Sequence, residues 1–402
     1  MVDQSERAFR ILCRRYGVQL AYTPMLHAEP FATDDGYRRT YFDAWEAAAL
    51  GVAKDVDRPL IAQLGGDDPH TLLRAARILE PYVDAVDINF GCPTEDARRG
   101  GHKAHSPRCR RYGAYLLRDS QLVARIVKTV AAGLRNIPVT AKIRLLQSRE
   151  ATLQLAMAIE QAGAAALCVH GRTITQRPKY AERDGLREAS LAPNWEAIAD
   201  VRRSVGIPVI ANGGIETKHD AADCLEQTRA AAVMSAEALL EDPALFDDAV
   251  ETVKDPNADI ARMLRLGREF LELAETFNCP LKYPPTKSHL FKILHRLIGA
   301  DQATARRKEA AGLPLSKQEE LKLELMRCPV SDFTSIRRAL DVIEASYAQN
   351  SEPLGVSWYR RWRKGLLVHG TCSARNRYCL HFSKHWLLQL PGLTQVLVSV
   401  GF

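Results

Sequence analysis

From residue 18 to about 240 the chain alternates short apolar runs with longer stretches of helical period. The apolar runs are Val18–Tyr22, Pro59–Leu64, Ala85–Phe90, Pro138–Leu145, Ala166–His170, Pro208–Ala211 and Ala230–Met234. They are nearly continuous rather than alternating, the pattern of strands covered on both faces. Between them, Pro69–Leu79, Ser120–Ala132, Glu150–Ala162 and Asn194–Ser204 repeat apolar residues three and four apart, as helices resting one face on a sheet do. Strands and helices in strict alternation predict a parallel sheet, and their period and total length favour a TIM (β/α)8 barrel over an open sheet. Only seven strands can be counted, where such a barrel has eight. The chain opens on Ser5–Tyr16, which reads as a helix, so the expectation is a barrel whose first strand is missing.

Past Ile260 the strand signal stops. Met263–Ala274, His289–Ile298, Leu315–Met326 and Phe333–Ala345 carry helical periodicity and predict a small all-α domain. The expected division is a barrel over residues 1–250, a helical domain over 258–347 and a tail over 348–402. Basic residues recur through the helical part, at Lys282, Lys287, Lys292, Arg296, Arg306, Arg307 and Lys308. Such a run is most often a solvated face. In the tail, Trp358-Tyr359-Arg360-Arg361-Trp362-Arg363-Lys364 interleaves aromatic with basic side chains. That mixture suits nucleic acid, and a poorly ordered tail fits the same composition.

At 402 residues, 46% of them hydrophobic, the chain is long enough for one large core and a smaller one. A net charge of +7 permits a polyanionic partner without demanding one. Nine cysteines without CxxC spacing indicate neither a zinc site nor a disulfide framework, so a cytosolic or nuclear setting fits best. The first residues lack the apolar core of a signal peptide, and no apolar stretch is long enough to cross a bilayer. A monomer is the default expectation.

The chemistry gathers at strand ends. Gln63 closes its strand, and Asn89 and Cys92 follow in Asn89-Phe90-Gly91-Cys92-Pro93. A free cysteine is usually a small buried hydrophobe; one set between Gly91 and Pro93 just past a strand is placed for chemistry. Lys142 and Arg144 alternate along one strand and so share a face, and His170 and Arg172 repeat that spacing. Asn212-Gly213-Gly214 and Ser235-Ala236 end the last two strands. In a parallel barrel these ends form one rim, and the loops after the seventh and eighth strands often hold a phosphate through backbone N–H groups. The set suggests a phosphorylated cofactor with a planar head group.

Tyr22-Thr23-Pro24-Met25-Leu26-His27-Ala28, Asn89-Phe90-Gly91-Cys92-Pro93, Lys142-Ile143-Arg144, Val169-His170-Gly171-Arg172-Thr173 and Val233-Met234-Ser235-Ala236-Glu237 closely resemble the tRNA-dihydrouridine synthases, on the eukaryotic branch acting at positions 16 and 17 of the D-loop. The resemblance covers roughly residues 1–345 and includes Ser288-His289-Leu290-Phe291-Lys292. It implies FMN as cofactor, NADPH as reductant and folded tRNA as substrate, with no metal. Reduced flavin would pass hydride to uracil C6, and Cys92 would act as general acid toward C5. By the same resemblance Gln63 and Lys142 contact the flavin ring, while His170, Asn212, Gly213, Ser235 and Ala236 hold its ribityl chain and phosphate. Asn89, Arg144 and Arg172 would meet the substrate. The target uridine must leave its stack to reach them, and the basic helices would clamp tRNA phosphates.

The chain departs from the family pattern in three places. Only Met1 survives of the Ala-Pro-Met that ends the family's first strand, which would leave a slot in the barrel wall. The stretch Lys103–Arg111 is inserted between Arg99-Gly100 and Tyr112-Gly113-Ala114, and Tyr180–Ser190 lengthens the loop after Arg172. Two other readings stand beside the main one: an FMN barrel reducing a small pyrimidine, and a flavin-free tRNA-binding protein.

Overall fold

The computed structural model describes residues 4–42, 56–99, 111–176, 192–248, 256–277, 279, 281, 284–299, 302–348, 354 and 397–399. The chain divides into two compact units, one of Met1–Ser5, Val18–Ala236 and Trp362–Phe402, the other of Glu6–Gly17 and Glu237–Arg361.

The first unit is a parallel barrel. Its strands are β1 (Leu20–Tyr22), β2 (Leu26–His27), β3 (Leu60–Gly65), β4 (Ala85–Phe90), β5 (Val139–Leu145), β6 (Ala166–Thr173), β7 (Val209–Asn212), β8 (Ala232–Ser235) and β9 (Leu397–Ser399). Strands β3 to β8 pair in sequence order; β8 then pairs with β9, β9 with β1, and β1 with β3. The ring closes on those eight strands, and two-residue β2 adds a short pairing at the end of β3.

As expected, no strand precedes the helix Arg7–Arg15 among the described residues. The place beside β1 is taken by a strand from the far end of the chain, with Val398 opposite Leu20 and also opposite Met234. The physical reason lies in the backbone. A gap between β1 and β8 would leave two rows of N–H and C=O groups unpaired, and the β-prone run Leu397-Val398-Ser399 satisfies both.

Residues of β3, β4 and β5 are buried along their whole length, which explains why their sequences do not alternate. The helices that follow start on side-chain caps: Asp68, Asp119, Ser148, Asn194 and Thr217 each accept a hydrogen bond from a first-turn N–H. These caps fix where each loop ends, so the C-terminal strand ends are held as one rim.

The second unit is helical: Arg7–Arg15, Glu237–Glu241, Pro256–Thr276, Thr286–Ile293, His295–Ile298, Gln302–Ala310, Lys317–Arg327 and Phe333–Ala348. The chain's first helix belongs to it. Phe9 stacks on His289 at 4.3 Å, edge-on to Phe270 at 6.3 Å, and buried His289 Nε2 lies 3.0 Å from Glu6 Oε2. No helix among the described residues is long and apolar enough to cross a membrane.

Candidate active site

Register builds the site before any side chain is considered. Neighbouring strands place Gln63 beside Asp87, Asp87 beside Thr140, Asn89 beside Lys142, Arg144 beside His170, and His170 beside Asn212. Alternation keeps Asp87 and Asn89 on one face, with Thr140, Lys142 and Arg144 sharing theirs. That face is the barrel interior at its C-terminal end. Every one of these side chains is buried, so each polar atom must find a partner inside.

Around the thiol, the bonds form a line. Gln63 Nε2 donates to Asp87 Oδ2 at 2.9 Å, and Asn89 Nδ2 donates to Gln63 Oε1 at 3.0 Å. Asn89 Oδ1 then accepts the amide N–H groups of Gly91 (3.0 Å) and Cys92 (3.1 Å). Cys92, 3% exposed, sits among Met25, Ala97 and Tyr112. Its Sγ lies 3.2 Å from Thr94 Oγ1, and its carbonyl accepts from Ala114 N–H at 2.9 Å. Thr94 also accepts from Ala97 N–H, which leaves its own hydroxyl proton able to turn toward the sulfur.

A second group is cationic. Lys142 Nζ donates to Asn212 Oδ1 at 2.9 Å, and Asn212 Nδ2 donates to the Met234 carbonyl at 2.8 Å. Burial holds the lysine below its ordinary range, with Arg144 adding to the effect and Asp87 opposing it. Arg172 Nη1 donates to His170 Nε2 at 3.1 Å. Burial first, then the charges of Arg144, Lys142 and Arg172, push His170 well below the usual histidine value, so it stays neutral and accepts. Arg144 reaches from the thiol loop to the end of β6, donating through Nε to the Gly91 carbonyl at 2.8 Å and through Nη1 to Thr173 O at 3.0 Å.

The third part is backbone. Gly213 and Gly214 follow β7 with φ of +105° and +77°. A Cβ on Gly213 would come within 2.8 Å of the His170 ring, and one on Gly214 within 2.7 Å of Pro193. Trp195 Nε1 holds this turn by donating to the Gly213 carbonyl at 2.9 Å. Ser235 ends β8 and donates to Ile215 O at 2.8 Å, with half-buried Ala236 next to it.

The residues singled out from the sequence therefore gather at one end of one barrel. Sequence reasoning missed Asp87, Thr94, Gly113 and Thr140. Asp87 was findable, since it stands two residues before Asn89 and so shares its face. Thr94 carries no signal beyond following Pro93. Lys103–Arg110, Tyr180–Ser190, Lys282 and Trp358–Lys364 lie outside the described residues. In the helical unit, most of the basic side chains bond locally. Lys287 donates to the carbonyls of Met326 and Cys328, Lys292 to Ser288, and Lys308 to Glu319, while Arg296 pairs with Asp259.

A family model described as dihydrouridine synthase (Dus) matches residues 1–325. Over 302 residues the chain is 38% identical to a Rattus norvegicus protein named tRNA-dihydrouridine(16/17) synthase NAD(P)(+)-like, covering 75% of this chain and 60% of that one. Over 301 residues it is 39% identical to the Saccharomyces cerevisiae tRNA-dihydrouridine(16/17) synthase NAD(P)(+), covering 74% of this chain and 64% of that one. A human tRNA-dihydrouridine(20a/20b) synthase NAD(P)+-like protein is 33% identical over 254 residues, covering 63% and 70%. The chain thus spans less than two thirds of the length of the rat and yeast relatives.

Proposed function

Because this chain belongs to the dihydrouridine synthase family, we propose that its barrel reduces uridine to 5,6-dihydrouridine in the D-loop of tRNA, at positions 16 and 17. The observation that carries the reading is the meeting, on one barrel rim, of the Cys92 thiol with the Lys142–Asn212 and Arg172–His170 pairs, with Arg144 donating to the Gly91 and Thr173 carbonyls beside them. FMN suits these residues. Glycines 213 and 214 hold a positive-φ turn packed against the His170 ring and Pro193, and the backbone N–H groups of such a turn can face a phosphate. Lys142, Arg144 and Arg172 supply positive charge around it, and neutral His170 adds no more.

When bound, FMN reduced by NADPH would supply the hydride that adds to C6 of the uracil ring. The chain's own residues do the rest. Cys92 gives its S–H proton to C5, where negative charge develops, and Thr94 Oγ1 donates to the sulfur once the proton has gone. Asn89 and Arg144 fix the loop that carries Cys92, from its amide side and its carbonyl side respectively. Gln63 and Lys142 line the place of the flavin ring, while Asn212, Gly213, Ser235 and Ala236 line that of the ribityl phosphate. The rim faces substrate as a flipped uridine, with Arg172 toward its edge, while Asn89 and Arg144 act on it through the Cys92 loop that they hold.

The local bonding of Lys287, Arg296 and Lys308 favours one second reading, a barrel that reduces a small free pyrimidine. The same preparation separates the two by turnover of uracil against tRNA. The test of the main reading is to map dihydrouridine in tRNA from cells carrying Cys92→Ala or the parent as their sole copy. Loss of a positioned general acid lowers the rate by roughly 10² to 10⁴, so positions 16 and 17 should stay unreduced in the variant. Equal dihydrouridine in both strains would sink the assignment.

A further inference from the structure

We infer that Asp87 is a positioning residue: through Gln63 and Asn89 it sets the direction of a hydrogen-bond line that ends on the amide of Cys92 and holds the thiol in place. The proposal rests on the function above only for the name of the reaction, because the line exists whatever the substrate is.

Donor and acceptor identities support it. The ionised Asp87 side chain only accepts, so Gln63 must turn Nε2 toward it, at 2.9 Å. That turns Gln63 Oε1 toward Asn89, which must then offer Nδ2, at 3.0 Å. Asn89 Oδ1 is left facing the Gly91 and Cys92 N–H groups, which only donate. Both ends of the line are fixed chemically, so neither amide can flip without leaving a buried atom unpaired. The second Asp87 oxygen accepts from Thr140 Oγ1 at 2.8 Å. A hydroxyl can accept as well as donate, and this makes the end of the line tolerant. In Asp87→Asn, Oδ1 still receives Gln63 while Nδ2 donates to Thr140. In Asp87→Leu nothing receives Gln63 Nε2.

The experiment reads the thiol directly. Alkylation of Cys92 by iodoacetamide is followed peptide by peptide in the full chain, with buried Cys224 on the outer helix Lys218–Thr228 as internal control. Asp87→Leu should speed Cys92 alkylation at least tenfold with Cys224 unchanged, and Asp87→Asn should stay within about twofold of the parent. If Asp87→Leu does not fold, Gln63→Leu breaks the next link with Asp87 kept, and the same acceleration is expected. Protection of Cys92 in a folded Leu variant would overturn the proposal. So would parallel acceleration at Cys224, or Asp87→Asn behaving like Asp87→Leu. Dihydrouridine mapping is scored separately, so failure of the proposed reaction leaves these outcomes readable.

Discussion

Gly113 lies with φ at +75°, and a Cβ built on it would fall 2.5 Å from the Cys92 carbonyl oxygen and 2.9 Å from the Cys92 Cβ. Neither contact is with a flexible side-chain end, so Gly113→Ala must move the residue that carries the thiol. The expected cost is about 1–3 kcal/mol from the left-handed backbone, with product formation falling further than the melting temperature suggests. A variant as active as the parent would show that Cys92 tolerates displacement. Asp87 makes a second prediction, this time in pH. Burial lifts it to about 6 from an ordinary value of 3.8, against the lowering effect of Gln63, Thr140 and Lys142. The folded state therefore binds that proton more tightly than the unfolded chain, and stability falls as pH climbs from about 4 through 6. Ionising it costs the fold roughly 3 kcal/mol. Asp87→Asn should accordingly gain melting temperature on the parent at pH 8 relative to pH 5; an equal offset at both would count against a titrating carboxyl there. His170 has the opposite sign. Its lowered value gives stability that is present above the unfolded histidine value near 6.5 and lost as pH falls below it. The residues touching the rim were legible because a strand end and a two-residue period reveal which side chains point inward. Gly113 was not, because its role is a contact across a loop that no local pattern encodes.

Elements were legible where their signals were local. The helices Pro69–Leu79 and Trp195–Ser204 begin on Asp68 and Asn194 caps that the sequence displays directly. The helix Lys218–Thr228 has a full capping box, with Thr217 Oγ1 accepting from Asp220 N–H and Asp220 accepting in return from Thr217 N–H. Thr217→Ala should cost about 1 kcal/mol, seen as a shift in denaturant midpoint with the slope unchanged; a neutral result would place the start of that helix under tertiary control. The helix Gln302–Ala310 escaped notice because its sequence, rich in Arg, Lys and Glu, shows almost no apolar face. Strand β9 escaped for a different reason. Three residues carry no period, and their partners β1 and β8 lie far away in sequence. Their place follows from backbone pairing with two edges, which no local pattern encodes.

At the scale of the whole molecule, neither unit is a continuous piece of chain. The helical unit takes Glu6–Gly17 from before the barrel and Glu237–Arg361 from after it. Burial of Phe9 against His289 and Phe270 ties the two pieces, and removing a buried phenylalanine side chain costs about 3–5 kcal/mol. Phe9→Ala should therefore release amide protection in the helix Thr286–Ile293 while strands β4 to β6 keep theirs, measured by hydrogen exchange with peptide resolution. Loss of protection spread evenly over both units would mean that they unfold as one. The same division has a genetic reading. A single crossover between two relatives near residue 237 would give a chimera whose His289 meets whatever the other parent carries at positions 6 and 9. Exchanging the helical unit intact requires two separated segments to travel together, so residues 6–17 and 237–361 should be inherited as a pair.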